Sequence, residues 1–205
     1  MFKSRGDLKI QELNESFVRL AYIAEIKEWD NRMHLERVRR YCQIIGQAAG
    51  LTNNEASILG LASQLHDIGK VELPDALLQR TGNYEADEWK IIEKHTSDGA
   101  KILDHSSSAV FQTASTIALT HHERWDGSGY PRGLKGEEIP ISGRICAIAD
   151  VFDALTTHRS YKAPISDEEA RKLIENSAGS MFDPKLVEVF SARFDEIRSI
   201  KNTLA

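Results

Sequence analysis

The sequence predicts an all-α fold built as one domain, and three observations carry that prediction. Thr52-x-x-Glu55 and Ser166-x-x-Glu169 are capping boxes, each opening a run whose apolar residues recur at helical spacing. Asp183-Pro184 places an N-cap residue directly before a proline suited to the first helical turn. No stretch alternates apolar and polar residues long enough to make a half-buried strand, and there is no internal repeat or low-complexity tract.

Each element follows from its own signals. From Asp7 to about Asp30 the apolar residues Ile10, Leu13, Phe17, Leu20 and Ala24 step by 3, 4, 3 and 4, the stripe of a two-helix seam. So short a stripe fits a helix packed on its own domain as well as a dimer stalk. A second helix runs to about Ala49 and stops at Gly50. The box at Thr52 opens a third, running into His66. Pro74 and the Thr81-Gly82-Asn83 cluster mark a connection, and helices are expected over 85–94, 96–103 and 108–123. Gly127, Gly129, Pro131, Gly133, Gly136 and Pro140 make 125–140 a long loop, a length that in compact domains is usually functional. A helix from about Ser142 to His158, another after Ser166 and a last one from Pro184 complete the chain. Residues 1–29 are thus expected to form an N-terminal helix, a linker or dimerisation segment, ahead of the main domain at 30–205.

Composition narrows the function. The chain has 205 residues, enough for one domain with a sizeable core; 41% are hydrophobic and 28% charged, as in ordinary soluble proteins. A net charge of −5 argues against a broad footprint for duplex nucleic acid and leaves any phosphate ligand to local positive charge. Cys42 and Cys146 form no C-x-x-C, so neither a disulfide scaffold nor a zinc knuckle is implied, and a reducing compartment fits. The first residues lack the apolar core of a signal peptide, no apolar run approaches the ~20 residues of a membrane span, and no lipidation signal is present. A cytoplasmic protein is the expectation.

The chemistry concentrates in histidines. His34, His66, His95, His121 and His122 lie in or beside expected helices, His66 is followed by Asp67, and Asp150 interrupts the apolar run "ICAIADVFDAL". An ionised aspartate there is costly to bury unless paired or bound to metal. Imidazole with carboxylate suits iron, manganese or zinc, and without a nearby thiolate a catalytic site is favoured over structural zinc. A lone buried histidine is more often a hydrogen-bonded core residue. The joint presence of "HDIGK" at 66–70 and "HHERWDGSGYP" at 121–131 is what shifts the reading.

These motifs resemble a known family. His34 followed by "HDIGK" is the pattern of HD-domain metal-dependent phosphohydrolases, and "HHERWDGSGYP" marks the HD-GYP subgroup of cyclic di-GMP phosphodiesterases. "HTSDGAKIL" at 95–103, "LKGEEIP" at 134–140, "RICAIADVFDALTTHRSYK" at 144–162 and "FDPKLVEVF" at 182–190 also look like this subgroup, so the likeness covers about residues 30 to 195. It implies an HD-type helical bundle whose long GYP loop walls a catalytic centre of two divalent ions, iron or manganese. By resemblance His34, His66, Asp67 and Asp150 hold the first ion. Asp67 bridges to a second held by His95, His121 and His122. One bridging carboxylate holds two cations ~3.5–4 Å apart, and water between them becomes a nucleophile near neutral pH.

Some members bind a third metal through a glutamate one turn before the first histidine. Asp30 stands there, one methylene shorter, and a role capping the second helix is open to it as well. The family places Lys70 on the scissile phosphate, Arg159 and Lys162 on the substrate phosphates, and Tyr130 in the pocket wall; guanidinium and ammonium groups suit that work. Asp126 and Glu123 are candidate acceptors for histidine N–H groups, with a surface role equally open to Glu123. Asp153 could support Asp150 or pair with Arg144 or Arg159.

The resemblance implies hydrolysis of cyclic di-GMP to pGpG, and onward to GMP, in bacterial second-messenger signalling. Alternatives are a phosphodiesterase for another cyclic dinucleotide such as 3',3'-cGAMP, or a non-catalytic module that binds cyclic di-GMP or docks other proteins. Expected partners are the dinucleotide, a second copy through the N-terminal helix, and an upstream sensor domain or other signalling proteins.

Overall fold

The computed structural model describes residues 32–80, 82, 84–158 and 163–204, together with Arg19, Ala21 and Tyr22. Helices α1 (Arg32–Ala48) and α2 (Asn53–Ser63) lead into a 3-10 turn at Ile68–Glu72. The short α3 (Asp75–Leu78), α4 (Ala86–Leu103) and α5 (Ala109–Thr120) follow. After the loop and a 3-10 turn at Gly136–Glu138 come α6 (Ile141–Thr156), α7 (Asp167–Asn176), α8 (Pro184–Ala192) and α9 (Phe194–Thr203). Among the described residues the only β pairing is an isolated parallel bridge, Ala178 with Phe182.

The helix starts obey the local chemistry read from the sequence. Thr52 accepts from the Glu55 amide and Ser166 from that of Glu169, while each glutamate reaches back to its cap residue. Asp183 accepts from the Lys185 amide with Pro184 at the first helical position. Three boundaries differ from expectation. The stretches 85–94 and 96–103 are one helix, α4, opened by a Glu85–Glu88 capping box. The helix expected to run into His66 stops at Ser63, which leaves His66 and Asp67 in the turn beyond. The last helix is two, divided at Arg193.

The core lies where α1 packs on α2 and α6, α5 on α2, α4 and α6, and the Ile68–Glu72 turn on α4. On α1, Leu35, Val38, Cys42 and Ile45 recur every three or four residues and are buried. The aliphatic side chains among them, Leu35, Val38 and Ile45, each contribute roughly 1.5–3 kcal/mol of hydrophobic stabilisation. Phe152, Phe190 and Phe194 contact one another edge-on and tie α6 to α8 and α9. Ala21 is buried in the same cluster, whereas the predicted N-terminal stripe and Asp30 lie outside the described residues. No described helix is long and apolar enough to cross a membrane.

Candidate metal centre

The bundle brings seven predicted ligand residues into two adjoining groups. His34, His66 and Asp150 offer ligand atoms within 4.8 Å of one another; so do Asp67, His95, His121 and His122. They come from α1, the turn after α2, α4, the end of α5, and α6. Asp67 stands between the groups. Its Oδ2 is 3.2 Å from His66 Nε2, while its Oδ1 is 3.3 Å from His95 Nε2 and 3.5 Å from His121 Nε2. Asp150 Oδ1 lies 3.7 Å from His34 Nε2 and 3.8 Å from His66 Nε2.

The orientation of the rings follows from their other nitrogen. Nδ1 of His66 is 2.9 Å from the Ser63 carbonyl, that of His95 is 2.6 Å from Ile92 O, and that of His121 is 3.0 Å from Ile117 O. A carbonyl oxygen only accepts, so each Nδ1 bears a proton and each ring turns its Nε2 toward the centre. His34 differs. Its Nδ1 donates to Asp153 Oδ2 at 2.8 Å, and Asp153 also accepts from Arg37 Nε at 2.6 Å and Nη2 at 3.0 Å. Asp153 therefore orients His34 and does not pair with Arg144, which holds Asp183 at 2.6 Å. Arg37 escaped the sequence reading, though its place one turn after His34 on the same helix face was the available signal. Its Nη1 donates to Leu204 O at 2.9 Å, linking α9 to this arrangement.

Charge and burial set the protonation states. Burial pushes the Asp67 carboxyl up, but the Lys70 ammonium, 2.6 Å from Oδ2, and the histidines outweigh it and hold it well below the usual carboxylate range. Burial lowers the His121 pKa, and burial with the neighbouring His121 and His95 rings lowers that of His122 further. Burial also acts against Asp153 ionisation, yet His34 and Arg37 bring its pKa below the ordinary value.

These residues fit a metal ion. Asp67 Oδ1, His95 Nε2 and His121 Nε2 are buried without a hydrogen-bond partner. They aim lone pairs at one another across distances where only a shared cation or proton makes the contact favourable. The donors are imidazole and carboxylate alone, a set suited to iron, manganese or zinc.

The loop after the histidines is held by backbone. Glu123 is buried, and its Oε1 and Oε2 accept from the Arg132 amide at 2.8 Å and the Leu134 amide at 3.0 Å. It clamps the loop rather than a histidine. Asp126 caps a turn by accepting from the Ser128 amide at 2.9 Å, again no histidine. A Cβ on Gly129 would sit 2.3 Å from the Arg124 amide nitrogen, so only glycine lets the loop fold back there. Tyr130 consequently stacks on His122, ring centroids 4.8 Å apart. On the other side Gly69 packs against α4 so closely that a Cβ would lie 2.0 Å from His95 O. That contact sets Asp67 and Lys70 beside His95. Arg159 and Lys162 lie outside the described residues.

The sequence matches the HD domain family over residues 20–186. The chain belongs to that family. Its HHERWDGSGYP run and its relatives place this HD domain in the HD-GYP subgroup. A 3'3'-cGAMP-specific phosphodiesterase of Vibrio cholerae is 46% identical over 185 residues, covering 90% of this chain and 35% of the relative. A cyclic di-GMP phosphodiesterase of Thermotoga maritima is 42% identical, covering 88% and 49%. The HD domain here thus spans between a third and a half of the length of these relatives. A solved cyclic GMP-AMP specific phosphodiesterase of V. cholerae shares the fold at a TM-score of 0.68 and 23% identity, over 94% of this chain and 50% of that one. An HDG"Y"P protein from Bdellovibrio bacteriovorus does so at a TM-score of 0.61 and 22% identity, over 79% and 51%.

Proposed function

We propose that the chain is the catalytic part of a cytoplasmic, metal-dependent phosphodiesterase that hydrolyses cyclic di-GMP to pGpG in bacterial signalling. One observation carries the reading: two ligand groups meet at Asp67, and bare, buried Nε2 and carboxylate atoms converge there. His34, His66 and Asp150 would hold one divalent ion and His95, His121 and His122 another, with Asp67 shared and iron or manganese the metals. When bound, the ions supply a water nucleophile near neutral pH and neutralise charge on the phosphoryl oxygens.

The chain's own groups do the rest. The Nδ1–H hydrogen bonds fix the tautomers before any ligand arrives. Asp67 stays ionised beside Lys70. Lys70 places an ammonium where negative charge grows on the phosphoryl group. Burial keeps the Tyr130 phenol protonated, so its hydroxyl remains a donor toward a phosphate or sugar oxygen. Arg159 and Lys162 complete the proposal as grips for the substrate phosphates, and Asp30 as a ligand to a third ion. Residues 1–29 would serve as linker or dimerisation segment, and an upstream sensor would regulate turnover.

The test is hydrolysis by iron- or manganese-loaded protein under anaerobic, reducing conditions. Absence of turnover with a full metal complement would refute the proposal. The 46% identity to a 3'3'-cGAMP-specific relative favours one second reading, the mixed dinucleotide as preferred substrate. The kcat/KM ratio for the two dinucleotides decides between them.

A further inference from the structure

We propose that Trp89 is a stacking platform for a guanine base, set beside Tyr130 at the mouth of the metal centre. The inference rests on the cyclic-dinucleotide reading above and adds a base-binding residue to it. Trp89 lies near the start of α4 with 43% of its surface exposed. A single exposed apolar residue is ordinary on a soluble domain. The surroundings of this one are not. Its ring meets Tyr130 edge-on, centroids 6.4 Å apart at 83°. Tyr130 in turn stacks on the candidate ligand His122. Tyr84 backs the indole at 6.0 Å and is itself held by donating to Leu77 O at 3.1 Å. An aromatic row thus leads from the candidate ligand His122 outward and ends on a partly exposed indole.

A cyclic dinucleotide with its phosphate at the metals must carry its base out of the centre. The side formed by Gly69 against His95 and Gly99 is closed by backbone contact. The aromatic side offers a flat apolar surface of the right chemistry, because every base presents a π-face. Tyr130 supplies the inner wall and Trp89 the outer. A contact made equally in ground and transition states changes KM and leaves kcat alone.

Two measurements on the manganese-loaded chain test this. In the first, Trp89→Ala raises KM for cyclic di-GMP by roughly 5- to 150-fold, the range of base–aromatic stacking. Its kcat stays within about twofold, and metal content and circular dichroism are unchanged. Trp89→Phe, which keeps a stacking ring, restores most of KM. In the second, a hydrolysis-resistant phosphorothioate analogue of cyclic di-GMP quenches tryptophan fluorescence in the wild type, and the quench disappears in Trp89→Phe. A KM for Trp89→Ala within twofold of wild type, a quench that survives in Trp89→Phe, or loss of metal from Trp89→Ala overturns the inference. Failure of the wild type to bind or hydrolyse any cyclic dinucleotide overturns the functional proposal as well.

Discussion

Replacing Asp153 by asparagine is the sharpest probe of how the centre is held. Asp153 is fully buried and accepts three hydrogen bonds, from His34 Nδ1, Arg37 Nε and Arg37 Nη2. Asparagine has one oxygen for these three donors. With that oxygen toward His34, the amide NH2 confronts Arg37 Nε. With the NH2 toward His34, the imidazole must move its proton to Nε2, and a protonated Nε2 is no ligand. Either way the Arg37 guanidinium loses its counter-charge inside the protein. Breaking such a pair costs about 3–5 kcal/mol. Asparagine keeps one acceptor, so the lower figure applies, a fall in Tm of roughly 6–12 °C for a chain of this size. Loss of the partner that orients a ligand histidine weakens metal binding by about 10- to 100-fold. The assays are thermal melting of metal-free protein and a manganese titration read by calorimetry. A melting point within 2 °C of wild type and an unchanged manganese affinity would refute the reasoning. Arg37→Met in the same background should cost little more, because the two residues act as a unit.

Four further outcomes follow from the same geometry. Lys70→Met should lower kcat by about 100-fold, the effect of removing one transition-state donor, while metal content measured by elemental analysis is retained. Glu123→Gln should leave the Arg132 or Leu134 amide without an acceptor, at about 1–3 kcal/mol, read as faster hydrogen exchange of those two amides. Gly69→Ala should destabilise by at least about 1–3 kcal/mol in urea unfolding, because the added carbon meets backbone atoms of α4 that cannot turn aside. Stability of the EDTA-treated protein should fall with acid. The pKa values of His121 and His122 are lowered in the folded chain, so below their ordinary value near 6.5 the unfolded chain binds more protons. Their contribution is complete above that pH and lost toward the depressed folded values, so the urea midpoint at pH 5.5 should lie below that at pH 7.5.

What the sequence disclosed was local. Thr52, Ser166 and Asp183 announce helix starts because a cap acts within three residues. Most of the candidate ligand residues sit in compact motifs, and the fold brings seven of them together. Where the sequence misled, a side chain had a local alternative. The stretches 85–94 and 96–103 are expected as two helices, yet the Thr96 and Ser97 hydroxyls donate to Glu93 O and Lys94 O of their own helix, and α4 continues through them. Glu123 beside two histidines looks like their acceptor, but nearby loop amides claim both oxygens. Arg37 and Asp153 are 116 residues apart, and no short-range pattern joins them.

The histidines are also unequal in how damage reaches them. His66, His95 and His121 each take their Nδ1 acceptor from a carbonyl three or four residues back, so the ring and its support travel together as a short segment. Such units tolerate drift elsewhere in the chain and could be transplanted intact onto another helical scaffold. His34 has no such independence. It relies on a carboxylate from α6, which relies on a guanidinium from α1 that also grips the end of α9. Substitutions at Arg37 or Asp153 would therefore disturb His34 without touching any of the seven candidate ligands.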